Sequence, residues 1–190
     1  MFKIGRRIVV YGPTGSGKTT MAGSIAQSIR VPHIELDAIF WTPDWVSKPD
    51  EEFRAEVSAV LSSHSDGWVS DGNYRRVRGL VLPLVDTVVW LRLPFRVVFS
   101  RLLKRTVSRA WSGEILWGTN REPWRRAFLS RDSLLLYAVT HWCRHHEAIS
   151  QALEQTTQRA LVLRLHSVHE VEEFVVSLPP AVDRRLNGTC

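Results

Sequence analysis

Eight consecutive residues, Gly12-Pro13-Thr14-Gly15-Ser16-Gly17-Lys18-Thr19, match GxxxxGK[ST] at every fixed position. The chemistry of that pattern is phosphate binding. Its glycines let the main chain curl until successive N–H groups face one anion, and a helix that starts at the end of the loop adds the positive end of its dipole. Lys18 is placed to reach the outer phosphates of a nucleotide, and the Thr19 hydroxyl suits a Mg²⁺ ion, with Thr20 beside it on the first helical turn. The alternative is a glycine-rich turn that binds nothing.

Asp37 and Asp71 each follow a short apolar run. In an open parallel sheet, ligands gather beyond the carboxyl ends of the strands, so both acids fall where a ligand would lie. Asp71 suits an acid that holds Mg²⁺ through water. Asp37 suits an acid on the acceptor side, taking a hydroxyl proton or touching the metal. Each also reads as a cap or turn aspartate. Asn73, Tyr74 and Arg75 are candidate hydrogen-bond partners for an acceptor. Trp41, Pro43 and Trp45 form a loop whose rings either stack on a planar acceptor or cover the sheet edge. Arg101 and Arg105, four apart on one helix face, can point at a γ-phosphate or stack on adenine. Arg121, Arg125, Arg126 and Arg131 lie in a stretch of mixed Gly, Pro and Trp that could fold down over phosphates. His141, Cys143, His145 and His146 have no further ligand spaced to complete a metal site, so they read as a solvated helix.

These side chains need a scaffold, and the hydrophobic pattern supplies one. Ile8 to Tyr11 reads as a buried parallel strand that ends at the glycine loop. Met21, Ala22, Ile25, Ala26 and Ile29 repeat at helical spacing. Further strands are expected at His33–Leu36, Gly67–Gly72, Asp86–Leu93 and Ala160–Leu165. A loop is expected from Asp37 to Pro49. Helices are expected from Asp50 (Phe53, Val57, Val60, Leu61), after Pro94, from Asp132 to about Gln155, and over Val168–Leu178. Alternating strands and helices predict an α/β domain of three layers, with a five-stranded parallel sheet between helices on both faces. One domain over residues 1–190 is expected, with a basic lid segment at about 106–131 and a polar tail at 179–190.

Composition narrows the classes. With 190 residues, 44% hydrophobic and 23% charged, the chain can bury a core without staples, which excludes disordered and disulfide-scaffold classes. Two cysteines without a CxxC spacing, no signal-like leader and no long apolar run lead to the expectation of a cytoplasmic protein with no membrane partner. The net charge of +6 is regional: residues 75–131 carry 13 Lys and Arg against 3 Asp and Glu, and the rest carry 12 against 16. A cluster that grips a compact polyanion predicts such a split, whereas attraction of a whole surface to nucleic acid does not.

Beside these readings stands a resemblance. Asp71-Gly72-Asn73-Tyr74-Arg75 resembles the DGxPR signature of adenylate kinases, with Asn73-Tyr74 where that family has an apolar residue and Pro. Leu93-Pro94 with Arg101 and Arg105 is similar to the VP…RxxxR stretch that leads into the adenylate kinase lid. More closely, His33 to Asp37, Trp41 to Trp45, Trp68 to Tyr74 and Asp86 to Pro94 resemble the bacterial adenylate-kinase-like or "DNA topology modulation" P-loop proteins, over residues 6–110. The resemblance implies a P-loop NTPase fold and phosphoryl transfer from ATP·Mg²⁺ to a small acceptor, such as a nucleoside, nucleotide or small alcohol, by a monomer or weak homodimer. The competing class is a nucleotide-dependent regulatory ATPase whose basic segment docks on nucleic acid.

Overall fold

Ile8, Val9 and Val10 have no solvent exposure at all, so the strand they form must be covered on both faces. The computed structural model describes residues 4–112, 115–116, 120–121, 139–154, 156 and 159–179. Its elements run β1 (Arg7–Tyr11), α1 (Lys18–Ile29), β2 (His33–Glu35), α2 (Leu36–Phe40), a hairpin of β3 (Trp41–Thr42) and β4 (Val46–Ser47), and α3 (Asp50–Ser63). Then come β5 (Trp68–Asp71), α4 (Arg75–Val81), β6 (Thr87–Leu91), α5 (Phe95–Ser112), an antiparallel pair of β7 (Ile115–Leu116) and β8 (Asn120–Arg121), α6 (Trp142–Glu154), β9 (Leu161–Leu165) and α7 (Val168–Ser177). No helix among the described residues is long and apolar enough to cross a membrane.

The five-stranded sheet has the order β2-β5-β1-β6-β9, and every pairing is parallel. Alternation along β1 feeds two cores. Val9 and Tyr11 face Phe40, Phe53, Val57, Val77, Ile149 and Leu153, which come from α2, α3, α4 and α6. Ile8 and Val10 face Met21, Ile25 and Phe174 of α1 and α7. This is the expected α/β arrangement with helices on both faces. The chain after β1 returns on one side of that strand, and the chain after β6 goes to the other. The glycine loop at the end of β1 therefore sits where the strand order reverses, the place where ligands of such sheets bind.

Four stretches differ from the sequence reading. Leu36 is not a strand residue: β2 stops at Glu35, and Asp37 lies in the first turn of α2. The stretch read as a loop up to Pro49 holds a helix and a hairpin, because Leu36 and Phe40, four apart, both bury against the core. Helix α4 was not anticipated; Val77 and Val81 bury its short apolar stripe. Helix α5 starts right after Pro94 and continues to Ser112, past the Ala110 at which the mixed composition suggested irregular chain. The start of the helix expected from Asp132, and the tail beyond residue 179, lie outside the described residues.

Phe53 is fully buried and meets Phe40 at 5.0 Å and Tyr74 at 5.1 Å between ring centroids. Phe53→Ala is expected to lower stability by about 3–5 kcal/mol in chemical denaturation.

Candidate active site

The glycine loop is shaped by contacts that leave no room for side chains. Gly15 has φ 86°, and a Cβ there would lie 2.9 Å from both the Val98 carbonyl oxygen and the Leu102 Cβ of α5. Only glycine lets α5 approach so closely. The loop is braced by the Ser16 N–H, which donates to the Pro13 carbonyl at 3.1 Å. Ser16 is buried, yet its Oγ has no hydrogen-bond partner among the described residues. Buried hydroxyls are rarely left so. An unsatisfied hydroxyl in a cradle of main-chain N–H groups fits a phosphate oxygen, so the residues present suit the phosphates of a nucleotide.

Lys18 curls back so that Nζ donates to the Pro13 carbonyl at 3.1 Å. Burial lowers its pKa from the ordinary value, the Asp37 and Asp71 carboxylates oppose that, and Arg105 adds to the lowering. Lys18, Asp37, Asp71 and Arg105, scattered over nearly ninety positions of sequence, are thus electrostatic neighbours. Arg101 donates from Nη1 to the Ser16 carbonyl at 3.4 Å, so it closes on the loop from α5. Thr14 is half-buried in the loop, and Thr20 is exposed on α1.

Asp71 is buried at the carboxyl end of β5, where it pairs with Val10 of β1 and Glu35 of β2. The Thr19 hydroxyl donates to its Oδ2 at 2.6 Å, and Nε2 of His33 lies 3.1 Å from its Oδ1. A hydroxyl and a carboxylate side by side form an all-oxygen donor set, which suits Mg²⁺. Thr19 and Asp71 are the residues that would hold it. His33 escaped the sequence reading because only the parallel pairing of β2 with β5 brings it there.

The other acid near Lys18 is held differently: the Tyr74 hydroxyl donates to Oδ1 of Asp37. Burial, then the Asp37 charge and the bond to it, raise the Tyr74 pKa far above the usual phenol value, so Tyr74 stays a proton donor to Asp37. Around this pair the rings close up: Phe40 lies 4.6 Å from Tyr74 and 4.8 Å from Trp41, and Trp41 lies 5.6 Å from Trp45. Trp41 and Trp45 are half-buried, and Trp41 packs against the core. Asp44 and Trp45 have φ of 62° and 59°, a left-handed conformation costly for residues other than glycine. The β8 backbone, Asn120–Arg121, runs beside this turn.

Asn73 reaches back to the glycine loop. Its Oδ1 accepts from the Gly12 N–H at 3.3 Å, and its Nδ2 donates to the Gly12 carbonyl. The turn that allows this needs Gly72, with φ 126° and a would-be Cβ 2.9 Å from the Leu36 Cβ. Arg75 is exposed at the start of α4. The side chain of Arg121, together with Arg125, Arg126 and Arg131, lies outside the described residues.

Comparison with known proteins agrees with this geometry. Residues 8–66 match the family described as "ATPase family associated with various cellular activities (AAA)". A gluconokinase from Sinorhizobium meliloti 1021 superposes with a TM-score of 0.52 at 19% identity, over 90% of this chain and 87% of that one. The chain has the P-loop NTPase fold. A shikimate kinase from Bacteroides thetaiotaomicron gives a TM-score of 0.46 at 20% identity, over 90% of this chain and 94% of that one. No curated protein sequence matches significantly.

With the P-loop assigned, the amide of Asn73 acquires a measurable role. Asn73→Ala leaves two main-chain groups of Gly12 without their side-chain partner, at a cost of about 1–3 kcal/mol. The expected result is roughly 5- to 100-fold weaker MgADP binding by calorimetric titration, with far-ultraviolet circular dichroism unchanged.

Proposed function

We propose that this chain is an ATP-dependent kinase that transfers the γ-phosphoryl group to a hydroxyl of a small molecule. The observation that carries the reading is the division of labour between two carboxylates that both act on Lys18. Asp71 is tied to Thr19 and His33. Among the described residues, the only hydrogen bond to Asp37 comes from Tyr74, at Oδ1. In this reading its other oxygen receives the acceptor hydroxyl, with the rings of Trp41 and Trp45 as the candidate acceptor wall.

In that arrangement the acceptor oxygen attacks the γ-phosphorus, the bond from that phosphorus to the ADP oxygen breaks, and the hydroxyl proton passes to Asp37. Tyr74 holds Asp37 in place and excludes water with its ring. Lys18, Arg101 and Arg105 supply positive charge to the transferring group, and the main-chain N–H groups of Gly15, Gly17, Lys18 and Thr19 orient it. Bound between Thr19 and Asp71, Mg²⁺ would neutralise phosphate charge.

The same carboxylate selects the acceptor class. A phosphate acceptor is already ionised at neutral pH and would meet Asp37 as a like charge. A neutral alcohol meets it as a hydrogen-bond donor. The aromatic wall favours an acceptor with an apolar face beside its hydroxyl. We therefore place small alcohols, polyols and nucleosides ahead of nucleoside monophosphates.

A screen of such compounds by ADP release tests the proposal: the right acceptor raises ATP consumption and yields a phosphorylated product. No stimulation by any hydroxyl compound, together with salt-sensitive nucleic-acid binding, would replace it with the regulatory ATPase reading. Lys18→Ala is expected to remove nearly all turnover from a folded protein. Asp37→Asn is expected to lower kcat by roughly 10²- to 10⁴-fold while MgATP affinity is retained; an equal loss of both would move Asp37 to the metal side.

A further inference from the structure

Asp71 is the most constrained acid of the site, and only one of its two protein partners belongs to the P-loop pattern. We propose that His33 is a positioning residue for the metal-side carboxylate. It fixes the plane of Asp71 so that the carboxylate and the Thr19 hydroxyl present their oxygens together to Mg²⁺. This inference rests on the reading of Thr19 and Asp71 as the metal-side pair.

Three observations carry it. The first is placement. In the parallel register of β2 with β5, His33 pairs with Val69 and Glu35 with Asp71. Val69 packs on the α1 side of the sheet, and residues two apart on a strand share a face. His33, Asp71 and Thr19 of α1 therefore meet on one side of the sheet. The second is division of the carboxylate. Oδ2 takes the Thr19 hydroxyl and Oδ1 takes the His33 ring, so one donor holds each oxygen and the group cannot rotate without breaking a bond. A carboxylate offers only acceptors, so the His33 Nε2 carries the hydrogen; the neutral ring suffices. The third is the far edge of the ring. Nδ1 faces Gly23 of α1, 3.9 Å from where a Cβ would be. The absence of a side chain there leaves the imidazole its place between the helix that carries Thr19 and the strand that carries Asp71.

A bond of this kind matters because Asp71 is buried. A buried carboxylate that loses a partner is costly to keep charged and turns toward another donor. Partners that orient a metal-binding group typically influence metal affinity 10- to 100-fold when removed.

The test uses Mn²⁺ as a stand-in for Mg²⁺, with free Mn²⁺ read by electron paramagnetic resonance in the presence of the full chain and ADP. His33→Ala is expected to weaken Mn²⁺ retention in the ternary complex by about 10-fold or more. His33→Gln, whose amide N–H can reach the same oxygen, should restore most of it. ADP binding in EDTA should be the same for all three proteins, which separates metal positioning from a general loss of structure. His33→Leu fills the ring's volume without a donor, and it stands in should the alanine variant not fold. Unchanged Mn²⁺ retention in His33→Ala or His33→Leu, where Asp71→Asn does lose it, overturns the proposal and leaves the metal-side reading standing. Unchanged retention in Asp71→Asn removes that reading and the proposal with it.

Discussion

The pairing of β1 with β5 is the constraint on which the site depends. Val10 lies opposite Asp71 and Val9 opposite Ser70, so the last turn of the sheet delivers a buried acid at the height where the P-loop begins. A shift of one residue would turn Asp71 to the other face of the sheet. It would then face the aromatic core of Phe40 and Phe53 and not Thr19. The apolar residues on both faces of β1 prevent that slip, since Ile8 and Val10 belong to one core and Val9 and Tyr11 to the other. Packing that stabilises the fold and register that builds the site are in this respect one property.

The three residues after β5 extend the same economy. Gly72 turns the chain beneath Leu36, Asn73 holds both polar groups of Gly12, and Tyr74 reaches Asp37. Adjacent residues therefore touch the nucleotide side and the acceptor side. Because Tyr74 also packs on Phe40 and Phe53, the turn is anchored in the core. A displacement of Gly12 by a bound phosphate would be felt by Asn73 directly and by Tyr74 through one peptide unit. That is a short mechanical path from the glycine loop to Asp37, and it needs no hinge.

The glycine loop was legible in the sequence and much of what surrounds Asp37 and Asp71 was not, for a physical reason. Residues 12–19 act largely through their main chain and are contiguous, so spacing alone discloses them. Strands β1, β5, β6 and β9 were visible as apolar runs, and α1 and α3 as periodic ones. His33 and Asp71 are 38 positions apart, and only parallel pairing brings them together; spacing carries no trace of it. The link from Asn73 to Gly12 is equally absent from the spacing, since 61 positions separate them and the turn at Gly72 brings them together. Helices α2 and α4 have 5 and 7 residues, too short for a period to emerge. They exist because Leu36, Phe40, Val77 and Val81 find a core to enter.

Lys18 shows why such a site prefers its ligand. Its ammonium is desolvated where Arg105 already makes positive charge less favourable, and only Asp37 and Asp71 compensate. With Asp71 shared with Thr19 and His33, and Asp37 shared with Tyr74, neither acid is devoted to Lys18. Its nearest hydrogen-bond acceptor is the neutral carbonyl of Pro13. A polyphosphate entering the loop brings several negative oxygens to a cation that water reaches poorly, so the attraction is screened less than on the surface. The same entry satisfies the Ser16 hydroxyl. The basic residues 75–131 then act as a second, outer field: Arg101 and Arg105 lie at the loop itself, and the remaining excess of positive charge raises the local concentration of polyanions. Among the described residues, then, the regional charge divides: Arg101 and Arg105 serve the loop, whereas Arg76 pairs with Asp50, Arg78 donates to the Ala148 carbonyl and Arg92 lies over the Trp90 ring.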